Sequence, residues 1–209
     1  MTLSEIKSHW ERVYATKATD AVSWYQPHAS VSLSLIRETG IDLGAPIIDV
    51  GGGASTLVDG LLDLGYSALS VLDLSDAALD AAASRLGARG DGVRWLEADI
   101  TRTTFPEASI TLWHDRAVFH FLNEADDRAV YVRTLSKAVK PGGHLIIGTF
   151  AENGPEKCSG LPVQRYSAES LYSEFSAAFE LVKTTTEAHY TPSGSIQAYV
   201  YCWCRRPIA

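Results

Sequence analysis

Along the chain, short apolar runs rich in β-branched residues alternate with longer stretches whose apolar positions recur every three or four residues. That pattern predicts an open α/β sheet with helices on its faces. Ile6, Trp10, Val13 and Tyr14 stand at helical spacing, TDAVSWYQPHAS has the composition of a loop, and VSLSLIRETG forms a helix ended by Gly40. PIIDV is apolar nearly throughout, as in a parallel strand covered on both faces. Ser55 and Ser75 are placed to cap the next two helices, which Gly65 and Gly87 close, with ALSVLDL a strand between them. GVRWLEADI, SITLWHD and GGHLIIGTF supply three more strands, and EADDRAVYVRTLSKAVK a helix stopped at Pro141 and Gly142. SAESLYSEFSAAF is helical, and FELVKTTTEAHY and IQAYVYCWCRR form a terminal hairpin about TPSGS. The expectation is a Rossmann-like three-layer α/β sandwich: a mostly parallel seven-stranded sheet with a C-terminal antiparallel hairpin.

Composition narrows the setting. The 209 residues suit a single domain, with 46% hydrophobic and 21% charged residues as in an ordinary globular protein. No apolar run approaches the roughly 20 residues of a membrane span, and MTLSEIKSHWERVYATK lacks a signal peptide's apolar stretch, so no membrane partner and a cytoplasmic location are expected. A net charge of −7 without a dense basic cluster argues against nucleic acid as a partner. Three cysteines, two of them at positions 202 and 204, do not have zinc-knuckle spacing; reduced thiols and no metal are expected.

Chemistry concentrates at DVGGGAST, which follows the first strand and opens a helix. Ligands of such sheets bind at the carboxyl ends of the strands, and Gly51 and Gly53 would let the backbone approach one closely. A dinucleotide calls for a third glycine where Thr56 stands. S-adenosylmethionine carries an ammonium instead of a pyrophosphate, which suits Asp49 just ahead of the glycines, acting directly or through water. Asp73, after the second strand, is placed to accept both ribose hydroxyls, though it could also cap the following helix. Asp99 is placed to meet an adenine amino group, with Leu74 and Ile100 sandwiching the ring.

IIDVGGGAS, VLDLS, LEADI, WHDRAVFHFL and KPGGHLIIGTF occur in an order and spacing that resembles the class I S-adenosylmethionine-dependent methyltransferases, over nearly the whole chain. The resemblance implies S-adenosylmethionine as cofactor and S-adenosylhomocysteine as product. It extends to VYATKATDAVSWYQPHAS, similar to the cap of small bacterial methyltransferases and of some protein-lysine methyltransferases; residues 1–40 would form that cap, over a core of residues 41–209. Trp24 and Tyr25 would then close over the methionine end, where an aromatic face attracts a sulfonium. The sequence departs from the family at Ser55, where many members have a third glycine, and at Ser109, where an acid often opens the fourth strand.

His114, Asp115 and His120 follow the fourth strand and are candidates for a base, with His120 alternatively a packed core histidine between Phe119 and Phe121. Arg116, Arg165 and Tyr166 are candidates for the acceptor pocket. The expected function is methyl transfer to O, N or S of a small-molecule acceptor, by a monomer or homodimer. A protein lysine is the alternative acceptor; a non-catalytic cofactor-binding module and a nicotinamide oxidoreductase are the rivals from other classes.

Overall fold

A computed structural model describes residues 3–208. Its central sheet has seven strands in the order β3-β2-β1-β4-β5-β9-β8. These are β1 (Ile47–Val50), β2 (Leu69–Asp73), β3 (Arg94–Glu97), β4 (Ile110–Arg116), β5 (Val139–Phe150), β8 (Glu180–Tyr190) and β9 (Ile196–Arg205). The first five run parallel, and β9 and β8 add antiparallel at one edge, as the sequence predicts. A two-residue pair, β6 (Lys157–Cys158) with β7 (Leu161–Pro162), forms a small hairpin that no hydrophobic alternation announces. The helices are α1 (Leu3–Thr16), α2 (Ser30–Glu38), α3 (Leu57–Asp63), α4 (Asp76–Leu86), α5 (Ala125–Ala138) and α6 (Ala168–Ser173). Among the described residues no helix is long and apolar enough to cross a membrane.

Two boundaries differ from expectation. The fifth strand begins at Val139, because Gly142 and Gly143 exchange backbone hydrogen bonds with Arg206 and so continue the ladder through the Pro-Gly turn. Helix α6 ends at Ser173, and the chain to Phe179 continues as turns.

The strands alternate their side chains between two buried layers, which decides the destination of every polar residue on β1 and β4. Ile47, Val71, Leu112 and Ile146 pack on one face with α2 and α3; Ile48, Leu72, Trp113 and Ile147 pack on the other with Tyr131 and Leu135 of α5. Asp49, His114 and Arg116 share the parity of the first face, and Asp115 that of the second.

Helix α1 lies across the carboxyl edge of the sheet, tied by side chains to three separate elements. Lys7 pairs with Glu97 of β3, and His9 bonds Ser159 of the β6–β7 turn at 3.1 Å. Glu11 accepts from the Asp76 and Ala77 amides of α4 at 2.8 and 3.4 Å. Ser75 covers the Ala78 amide, and Asp73 the Ser75 amide, so four consecutive donors at this helix start are satisfied. Replacing Glu11 by Ala is expected to cost about 1 kcal/mol of capping. Hydrogen exchange checks this: amides of α1 and the first turn of α4 should exchange faster, while those of β4 and β5 remain as in the wild type.

Candidate active site

The glycine turn after β1 is shaped by two acids beneath it. Gly51 has φ +69°, and a Cβ there would stand 1.8 Å from a methyl of Val118. At Gly52 a Cβ would lie 2.5 Å from Asp49 Oδ2, and at Gly53 2.5 Å from Asp73 Oδ2. Gly52 therefore belongs with Gly51 and Gly53: with any larger residue the carboxylates and the loop could not coexist.

Both acids are buried. Asp73 uses Oδ1 to accept from the Ser75 amide at 2.9 Å, so its helix-capping role is real, while Oδ2 faces the turn at Gly53. Burial pushes its pKa up to about 7, against the pull of the Ser75 and Leu74 amides and with a further push from Asp49 and Glu11. An approaching pair of ribose hydroxyls would offer this carboxylate the donors that burial denies it.

Asp49 is held from below. Its Oδ1 accepts from His114 Nδ1 at 2.7 Å, and His114 Nε2 meets Ser32 Oγ of α2 at 2.8 Å. These residues line one cleft with Gly51, Gly52, Ser55, Thr56, Trp24 and Tyr25. Tyr14 also lines it, its hydroxyl accepting from Trp24 Nε1 at 3.2 Å. Trp10 stacks edge-on against both Trp24, at 5.6 Å, and Phe121, at 5.3 Å. The spacing of Trp10 and Tyr14 marks them only as one helix face; Tyr14's place in the cleft, and Trp10's against Trp24, come from how α1 docks.

A second hollow lies under the start of α1, lined by Ser4, Lys7, Leu74, Glu97, Ala98 and Asp99. Asp99 Oδ1 accepts from the backbone and hydroxyl of Thr101, both at 2.8 Å, which fixes its carboxylate at the hollow's rim. Ile100 does not line it: the side chain is buried in the core layer with Leu72 and Trp113, so the expected sandwich retains Leu74 alone.

On the acceptor side several expectations change. Asp115 is no base for the cleft. It points into the opposite layer, accepting from the Val118 amide at 2.9 Å, the Phe119 amide at 3.1 Å and the Tyr131 hydroxyl at 2.6 Å. It holds the turn after β4, where Ala117 has φ +73°. His114 has both ring nitrogens engaged, leaving none for an acceptor's proton. His120 is fully buried, and burial together with the Arg116 charge pushes its pKa down to about 3, so its imidazole is neutral and a poor base. Arg116 lines the cleft but donates to Tyr201 Oη at 2.8 Å, the Trp24 carbonyl at 3.3 Å and Glu187 at 3.4 Å. Its guanidinium straps the loop at Trp24 to the C-terminal hairpin rather than waiting for a substrate. Tyr166 is packed against Phe119 in the far layer, and Arg165 is exposed, bonding Gly154 and Glu156. Cys158 is buried, and burial pushes its thiol up to about 12, which leaves it unreactive.

Two tests follow from these placements. Asp73 binds a proton more tightly folded than unfolded, so its contribution to stability is full below about pH 4 and fades as pH rises through about 7. With Asp73 as the acceptor of ribose hydroxyls, the role the sequence predicts, ligand affinity would run the other way, since only the ionised carboxylate accepts from both. S-adenosylhomocysteine is expected to bind about tenfold more tightly at pH 8 than at pH 6, and Asp73→Asn to flatten that profile and weaken binding at pH 8; titration calorimetry at both pH values reads this. Tyr131→Phe, which strips a donor from buried Asp115, is expected to cost about 1–3 kcal/mol in urea unfolding without changing ligand affinity.

Comparison with known proteins places this geometry. Residues 48–147 match the family described as methyltransferase domain. The chain is 25% identical over 147 residues to the eEF1A lysine and N-terminal methyltransferase of Danio rerio, covering 69% of this chain and 21% of that protein. It thus spans about a fifth of that relative's length. It is 21% identical over 213 residues to human EEF1A lysine methyltransferase 2, covering 93% of this chain and 84% of the relative. Its fold superposes on the Burkholderia thailandensis 1,6-didemethyltoxoflavin-N1-methyltransferase, crystallised with that compound and S-adenosylhomocysteine, with a TM-score of 0.71 at 19% identity, covering 98% and 87% of the two chains. The glycine turn over two buried acids thus sits inside a matched methyltransferase domain, in a chain with the Rossmann-like fold of S-adenosylmethionine-dependent methyltransferases.

Proposed function

We propose that this methyltransferase acts on an O, N or S atom of a small-molecule acceptor. The observation that carries the reading is the aromatic cluster that backs the cleft wall at Tyr14 and Trp24. Trp10, Tyr14, Trp24 and Phe121 form a contiguous ring cluster there, roofed by α1, which His9 ties to the β6–β7 turn. Such an enclosure fits a compact acceptor that enters whole. The Burkholderia enzyme, with a small heterocycle for acceptor, is similar along nearly all of this chain.

In this reading Gly51, Gly53 and Asp49 hold the methionine end of the cofactor, Asp73 the ribose, and Leu74 and Asp99 the adenine. Trp24 and Tyr25 face the sulfonium, where cation–π attraction favours the charged cofactor over the neutral product. S-adenosylmethionine supplies an electrophilic methyl group on that sulfonium. The protein's part is alignment and exclusion of water, since an in-line displacement with a leaving group that loses charge gains most from these. None of His114, Asp115 and His120 offers an accessible basic atom, so these three take no proton from the acceptor. The non-catalytic module is the reading that absence of turnover would favour.

A protein lysine is the second reading, favoured by similarity to the human lysine methyltransferase over 93% of this chain. Incubation of the protein with methyl-labelled S-adenosylmethionine and a cell extract, split by ultrafiltration, separates the two. A labelled filtrate species that chromatography separates from S-adenosylmethionine and its breakdown products is expected, and only with the protein present; label confined to a discrete protein band would transfer the assignment to a lysine acceptor.

A further inference from the structure

His114 is buried, and so is Ser32, yet neither is occupied by core packing alone. Register explains the first contact: β1 and β4 pair Asp49 with His114 side by side on the cleft face. The carboxylate only accepts, so the 2.7 Å contact puts a proton on Nδ1. Nε2 bonds the Ser32 hydroxyl, 2.8 Å away. Ser32, His114 and Asp49 form a hydrogen-bonded chain from α2 through β4 to β1 that ends on the carboxylate, each bond polarising the next. At its end Asp49 Oδ1 is occupied, and Oδ2 is pressed toward the glycine turn, 2.5 Å from where a Gly52 Cβ would stand. The chain thus fixes which oxygen faces the cleft and in which rotamer.

We propose that His114 is a positioning residue for cofactor recognition, holding the Asp49 carboxylate, with Ser32 behind it, so that Oδ2 receives the ammonium of the cofactor's methionine end. This rests on the placement of that ammonium at Asp49 in the proposed function. The role differs from that of a base acting on the acceptor and from mere packing, because it concerns one end of the cofactor only. A ligand with the adenosine and sulfur but no amino-acid tail does not sense it.

The test compares S-adenosylhomocysteine with 5′-methylthioadenosine, which lacks the amino-acid end, by titration calorimetry on the full chain. In His114→Leu the first ligand is expected to bind at least tenfold more weakly and the second within about twofold of wild type. His114→Asn, whose amide can replace the Nδ1 donor, is expected to recover most of the loss. Equal loss of both ligands, or unchanged binding of S-adenosylhomocysteine, would overturn the proposal, as would a fall in kcat alone. Should His114→Leu not fold, Ser32→Ala decides by the same ratio, with a loss of about threefold expected for S-adenosylhomocysteine only. Failure of the cofactor site itself shows separately, as wild-type protein that binds neither ligand.

Discussion

The close approach of two buried carboxylates to a backbone without Cβ atoms is the constraint on which the site depends. Asp49 and Asp73 stand at the ends of neighbouring parallel strands, and the turn at Gly52 and Gly53 passes over them at a distance no side chain tolerates. Burying two like charges so near each other is costly, and burial pushes the Asp73 pKa up to about 7. The neighbouring structure offsets that cost unequally. Asp49 has His114 and Ser32 behind it; Asp73 has amide donors at the start of α4 but faces Glu11 as well. A ligand with donors at both acids would offset part of that cost.

Helix α1 gives the site its cover. Its ties to β3, α4 and the β6–β7 turn are mostly exposed side-chain contacts, each weak, and only Val13 of the helix counts among its buried residues. A segment held by surface contacts opens at a lower free energy than the core beneath it. The same helix brings Tyr14 to the cleft and Trp10 against Trp24 at its wall. Arg116 fastens the next part of the cover: its bonds to Trp24 and Glu187 join the loop after α1 to the C-terminal hairpin. The cleft wall is thereby assembled from segments remote from each other in sequence.

Much of the architecture was legible because the signals are local. Parallel strands declared themselves as continuous apolar runs, Ser75 as a cap, and DVGGGAST as a turn between an acid and a helix. The mostly parallel sheet and its antiparallel edge followed from that alternation, though not the order of the strands. What the sequence did not disclose is which face a polar residue takes and what meets it there. His114 and Asp115 are adjacent, so strand parity alone requires them to diverge; one reaches Asp49 and the other Tyr131. Parity was the available signal, and it would have removed Asp115 from the cleft. Tyr166 and Ile100 were lost to the core layer, and Glu11, Ser32 and Tyr14 gained, the last three through hydrogen bonds spanning 10 to 82 residues of sequence. No local pattern encodes these.

The central claim is that the glycine turn and its two acids receive an adenosyl amino acid and not a dinucleotide. Titration calorimetry of the purified protein with S-adenosylhomocysteine and, separately, with NADH tests it directly. Micromolar binding of S-adenosylhomocysteine with no heat from NADH is the predicted result; binding of NADH, or of neither ligand, would contradict the account.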